Sequence, residues 1–256
     1  MTADSAAISR KAMGPARVLV VDDSRTMRNL ILELLVGSFD CLPAKDGLDA
    51  LEQFTAFKPH IVLLDLDMPR MGGLDVIQRI RQGLGDHDAF IIVLSGHEEN
   101  TLKAEALNRG ANDYLTKPFH PEELKARVGV AERQVTLNIK LRDAYSRISS
   151  EIALVAALQS QLLPSQEIQV EGLELTNLYR PSGQASGDYY DYFPLDDGRI
   201  RVVLADIAGK GARAAFLMAM LHVFFRLGKQ EGHSLEKTVS LINNHFMEIS
   251  PSGCDF

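Results

Sequence analysis

Val18-Leu19-Val20-Val21-Asp22-Asp23-Ser24 is the stretch that decides the reading of this chain. Four consecutive branched apolar residues without polar alternation suit a strand covered on both faces of a parallel sheet, and two acids then stand at its carboxyl end. The same texture returns at Ile61 to Leu64 and Phe90 to Leu94, with weaker candidates at Cys41 to Ala44 and Asp113 to Leu115. Between these runs the apolar spacing is helical. It predicts helices over Ser24 to Val36 with Ser24 as N-cap, Leu48 to Phe57, Leu74 to Leu84, Glu98 to Arg109 with Gly110 as C-cap, and one starting at Pro121. Five such βα units predict an α/β, doubly wound, five-stranded parallel sheet that uses about the first half of the chain.

The whole chain has 256 residues, enough for one large or two small domains. Its 27 Lys+Arg against 34 Asp+Glu give a net charge of −7, which supplies no long-range attraction to nucleic acid or to an anionic membrane surface. An apolar stretch from Ala214 reaches Phe225 only across His222, short of the ~20 residues of a spanning helix. The opening residues, MTADSAAISRKAMG, carry an early acid and no apolar core, so residues 1–14 read as a flexible tail rather than a signal peptide. Two distant cysteines, Cys41 and Cys254, suit a reducing compartment, and the expected location is the cytoplasm.

From Pro121 the helical pattern runs on without Gly or Pro between Val130 and Leu163. Placing Leu141, Ile148, Val155 and Leu162 at one heptad position puts Leu124, Ala131, Asn138, Tyr145, Ile152 and Gln159 at the other, and the first position continues back through Gln134 and Arg127. Such a mixed seam suits a parallel homodimer whose polar positions fix register, and residues 131–163 are read as a coiled-coil linker; the competing reading is one amphipathic helix lying on its own domain. Pro164 ends the helix. Strands are then predicted over Leu173 to Tyr179 and Ile200 to Asp206, with Asp196-Asp197-Gly198 as the turn before the second, and helices over Ala212 to Leu227 and Leu235 to Ile249.

Ligands of a doubly wound sheet bind beyond the carboxyl ends of its strands. Those ends carry Asp22, Asp23, Asp65, Ser95 and Lys117. Three clustered carboxylates repel unless a cation relieves them, and a hard divalent ion such as Mg²⁺ suits oxygen donors. A lysine and a hydroxyl opposite that ion suit a phosphoryl group. The strings VLVVDDSRTMR, IVLLDLDMPRMGG, IIVLSG and DYLTKPF, over about residues 15–130, resemble the receiver domain of two-component response regulators, a flavodoxin-like fold. The resemblance implies Asp65 as the phosphoacceptor and Mg²⁺ held by Asp23, Asp65 and the Asp67 carbonyl, with Asp22 acting through water. It further implies phosphoryl contacts from Ser95 and Lys117, Tyr114 as an aromatic switch, a cis Lys117-Pro118 bond, and a sensor histidine kinase or phosphotransfer protein as partner.

In the second half, Gly187-Asp188-Tyr189-Tyr190-Asp191 and Ala205-Asp206-Ile207-Ala208-Gly209-Lys210-Gly211 are the informative strings. Asp188 opens one predicted strand and Asp206 closes another, so both face a shared metal cluster on one reading. Gly209 to Ala214 also fits a dinucleotide-binding loop formally, although Gly228 to Ser234 is polar where a second strand is required, and Leu204 and Gly211 exclude a P-loop. LQSQLLPSQ together with GDYYD and ADIAGKG resembles the start of SpoIIE/RsbU-type PPM (PP2C-like) serine/threonine phosphatases. That resemblance implies Asp188, Asp206 and the Ile207 carbonyl as ligands of Mn²⁺ or Mg²⁺, and a phosphoprotein substrate such as an anti-sigma factor antagonist. Further metal aspartates of that family lie beyond the helix after Leu235, so residues 164–256 read as an incomplete phosphatase-like domain. Two functions therefore stand side by side: a response regulator with a phosphatase-type output, and a non-enzymatic, phosphorylation-gated dimerisation or adaptor protein. A DNA-binding output is set aside, because the helix from Ala212 is apolar rather than basic.

Overall fold

The structure, a computed structural model, describes residues 14–96, 100–164, 169–170, 172–180, 185–195, 197–209 and 211–249. Residues 1–13, Glu98, Asp196, Lys210 and Cys254, each used in the sequence reading, lie outside that set. The chain divides into two units, Met1–Arg142 and Asp143–Phe256.

In the first unit the strands are β1 (Arg17–Val21), β2 (Asp40–Ala44), β3 (Ile61–Asp65), β4 (Phe90–Ser95) and β5 (Asp113–Thr116). All neighbours pair parallel, in the order β2-β1-β3-β4-β5. The reversal of strand order falls between β1 and β3, where a doubly wound sheet opens its binding crevice. The helices between them are α1 (Arg25–Leu35), α2 (Gly47–Phe57), α3 (Gly73–Gln78, prolonged by a π-helical turn over Arg79–Gly83) and α4 (Asn100–Asn108). The Ser24 hydroxyl caps α1 by accepting from the Met27 amide.

The unbroken apolar runs are explained by two cores. Leu19, Val21, Val62, Leu64, Ile91 and Val93 pack on one face beneath α2, α3 and α4. Val18, Val20, Ile61, Leu63, Ile92 and Leu94 pack on the other beneath α1 and the start of α5 (Pro121–Leu162). Because successive strand residues alternate faces, a sheet covered on both sides needs every residue apolar.

α5 is one helix of 42 residues, but its proposed seam is not uniform. Leu124 and Ala131 are fully buried in the core of the first unit with Val128 and Val135, so these seam positions face their own domain. Farther along, Leu141, Tyr145 and Ile148 are 71%, 73% and 57% exposed. Gln159 is buried again, against its own unit.

In the second unit a strand predicted to reach Tyr179 is confined to β7 (Leu173–Glu174), paired with β6 (Gln169–Val170). Residues 175–180 run on without strand pairing. β8 (Tyr189–Pro194) and β9 (Ile200–Ala205) form an antiparallel hairpin turned at Gly198, whose φ of +81° suits glycine. Helices α6 (Ala212–Gln230) and α7 (Leu235–Ile249) follow, and Leu217, Met218, Leu221 and Phe225 pack on Tyr189, Phe193 and Val203. A strand after α6, which a dinucleotide-binding unit would need, is replaced by α7, so that reading falls.

Candidate functional site

Parallel pairing brings the carboxyl ends of β1, β3, β4 and β5 to one edge. Ligand oxygens of Asp22, Asp23 and Asp65 lie within 4.8 Å of one another, with Asp22 and Asp65 buried and Asp23 open to solvent. Lys117 Nζ donates to Asp22 Oδ2 at 2.7 Å and stands 3.0 Å from Asp65 Oδ2. The other Asp22 oxygen accepts the Ser24 amide at 2.8 Å, which holds the carboxylate from below the helix start. Ser95 is fully buried at the end of β4, and its carbonyl accepts the Lys117 amide at 2.8 Å. Asp67 is exposed, its amide directed at Asp65 Oδ1 at 3.5 Å. Tyr114 is half-buried on β5, with Lys103 Nζ 5.2 Å from its ring centroid. The Lys117-Pro118 peptide is cis.

Burial raises the Asp65 pKa above the ordinary carboxylate value; Lys117 opposes the rise and Asp22 adds to it. Burial also works against the Lys117 ammonium, yet its hydrogen bonds and charge contacts with Asp22 and Asp65 together raise its pKa. One lysine facing three carboxylates leaves an excess of negative charge. Oxygen donors that are partly buried, with one carboxylate open to water, fit a small hard divalent cation that keeps several waters. Gly73 makes the geometry possible: a Cβ there would stand 2.2 Å from the Asp65 carbonyl oxygen.

The second constellation is looser. Tyr189 pairs with Ala205 across the hairpin, so Asp188 and Asp206, one residue beyond each, stand together at its open end. Both are exposed, and with Tyr179 and Arg180 they line a cleft of about 530 Å³. The Tyr179 hydroxyl is buried there without a hydrogen-bond partner among the described residues. The Ile207 amide donates to the Gly187 carbonyl at 3.4 Å, and a Cβ on Gly187 would lie 2.3 Å from the Ile207 carbonyl oxygen. Two carboxylates and a carbonyl are the right kind of donors for a hard divalent ion. Among the described residues, however, only the Asp22, Asp23 and Asp65 set forms a group of three.

Three residues of this region carry contacts that their sequence positions did not assign to them. Asp191 is wholly buried, accepts the Tyr189 hydroxyl at 2.9 Å and pairs with Arg226 at 3.1 Å, with His222 Nδ1 3.7 Å away. Its place in the GDYYD string was a signal, since a carboxylate on a helix-facing strand position needs a cation. Ser186 and Gln159 are joined by hydrogen bonds across 27 positions, which no local pattern announces.

Comparison with known proteins agrees with both halves. Residues 18–129 match the family model of the response regulator receiver domain, and residues 196–253 match that of stage II sporulation protein E (SpoIIE). The matches thus support a receiver domain over residues 18–129 and a SpoIIE-like region over residues 196–253. Among its relatives, Response regulator MprA of Mycolicibacterium vanbaalenii is 36% identical over 141 residues, 55% of this chain and 60% of that protein. Transcriptional regulatory protein KdpE of Mycobacterium tuberculosis is 38% identical over 125 residues, 48% of this chain and 54% of that one. The alignments therefore span only about half of these relatives. The signal receiver domain of a putative LuxO repressor protein from Vibrio parahaemolyticus superposes with a TM-score of 0.47 at 28% identity, over 50% of this chain and 97% of that one. Among the described residues no helix is long and apolar enough to cross a membrane.

Proposed function

We propose that the chain is a response regulator in which Asp65 accepts a phosphoryl group from a histidine kinase or phosphotransfer protein and thereby controls the SpoIIE-like region. The observation that carries this reading is the convergence of Asp22, Asp23, Asp65 and Lys117 at one sheet edge. Asp22, Asp23 and Asp65, with the Asp67 carbonyl, would hold Mg²⁺, which when bound neutralises charge on the transferred group. Asp65 Oδ attacks phosphorus in line and the P–N bond of phosphohistidine breaks, its electron pair staying on the imidazole, which leaves neutral because its other ring nitrogen already carries a proton. Lys117 then gives up part of its attachment to Asp22 and Asp65 to contact a phosphoryl oxygen, while the Ser95 hydroxyl takes another. The inward shift of Ser95 leaves room for Tyr114 to turn, which biases the surface of α4 and β5.

For the output, Asp188, Asp206 and the Ile207 carbonyl would hold Mn²⁺ or Mg²⁺ for hydrolysis of a phosphoserine or phosphothreonine ester in a protein such as an anti-sigma factor antagonist. The exposed stripe Leu141, Tyr145 and Ile148 supports homodimerisation through α5. A second reading is the non-enzymatic, phosphorylation-gated dimerisation or adaptor protein, which the exposed stripe Leu141, Tyr145 and Ile148 on α5 supports equally. Acetyl phosphate should label the wild type and not Asp65→Asn, and labelling that survives the change would place the acceptor elsewhere. Turnover of a phosphoprotein with Mn²⁺ above background separates enzyme from adaptor.

A further inference from the structure

Gln159 sits near the end of α5 with 5% of its surface exposed. Its side-chain amide meets both backbone groups of Ser186: Oε1 accepts the Ser186 amide at 3.2 Å, and Nε2 donates to the Ser186 carbonyl. The hydrogen bonds do not stop there. The Ser186 hydroxyl donates to Asp188 Oδ2 at 2.9 Å and accepts the Asp188 amide at 3.2 Å. From the other side the same loop is held by the Ile207 amide on the Gly187 carbonyl and the Gly211 amide on the Ala185 carbonyl, each at 3.4 Å.

We propose that Ser186 and Gln159 are positioning residues that orient the Asp188 carboxylate and tie it to the linker helix. The claim rests on the reading of Asp188 as a metal ligand. Gln159 bonds both backbone groups of Ser186 and so fixes the peptide that carries the Ser186 hydroxyl. Here the chain continues through the hydroxyl to one carboxylate oxygen, which selects a rotamer for Asp188 and leaves its other oxygen to the cleft. Partners of this kind set the orientation and basicity of a ligand. Gln159, near the end of α5, holds the loop before Asp188 through two directional hydrogen bonds to the Ser186 backbone.

The test uses the full chain with Asp23→Ala, to silence the receiver site, and measures Mn²⁺ affinity by titration calorimetry alongside hydrogen exchange of residues 185–188. Gln159→Leu should speed exchange of the Ser186 amide and weaken Mn²⁺ about 10-fold or more, the usual cost of losing a partner of a metal ligand. Ser186→Gly, which keeps the backbone clamp, should weaken Mn²⁺ similarly while the amide at position 186 stays protected. The double variant should bind no worse than the weaker single one, because both act along one path. Unchanged Mn²⁺ affinity in both single variants overturns the proposal alone. Absence of Mn²⁺ binding before either change is made overturns the metal reading of Asp188, and the proposal with it.

Discussion

The two acidic constellations of this chain are built in opposite ways. Around Asp65, four parallel strands end at one edge, two carboxylates are buried, and Lys117 bridges them at 2.7 and 3.0 Å. Around Asp188, one hairpin presents two exposed carboxylates to an open cleft, and the fixing is done from behind by Ser186 and Gln159. The first site is set by the sheet and so is insensitive to any single helix. The second depends on hydrogen bonds from a helix. A site held by one movable element is a natural point of control, whereas a site held by a whole sheet is a natural point of input.

The largest effect that would break this contrast concerns the helix between the two sites. Its first turns are sealed into the receiver, but Ile148 and its half-buried neighbour Ile152 continue the free stripe. Replacing Ile148 and Ile152 together by Asp should convert a dimer to a monomer in light scattering. No change in mass would mean that the stripe is covered by something other than a second copy.

Glycine substitutions sharpen the comparison. An added Cβ meets a carbonyl oxygen at 2.2 Å at Gly73 and at 2.3 Å at Gly187. Ala at either position should cost about 1–3 kcal/mol, the range for overpacking. The cost should be greater at Gly73, where the Asp65 carbonyl belongs to a fully buried strand, than at Gly187, where Ile207 lies in a loop beside the cleft. Denaturant titration followed by hydrogen exchange in each unit would rank them, and an equal cost would argue that the second loop is as rigid as the sheet.

The smallest effect is a pH dependence contributed by His222 of the second unit. Burial, helped by the Arg226 charge and opposed by Asp191, lowers the His222 pKa. The folded histidine then resists protonation while the unfolded one takes a proton near its ordinary value of about 6.5, so stability present above that value is lost as pH falls below it. Thermal unfolding between pH 7 and pH 5.5 should show this loss, and His222→Gln should reduce it. A loss of the same size in the variant would assign it to other groups.

The receiver was legible because its signals are local. A run such as Val18 to Val21 announces a doubly covered strand, and the residue that ends each run falls at the binding edge whatever the helices do. The same logic found Asp188 and Asp206 at the open end of a hairpin. It overextended the strand toward Tyr179, because apolar alternation without a pairing partner does not make a ladder.

Heptad spacing along α5 was equally visible, but spacing alone does not say what covers a face. Leu124, Ile148 and Gln159 all occupy seam positions, and only the folded chain assigns the first to the receiver core, leaves the second free, and turns the third onto Ser186. Periodicity and strand-end chemistry are properties of short segments, so the amino-acid order by itself determined the sheet and the acidic edge. The partners of each helix face are contacts between distant segments, and tertiary structure alone decided them.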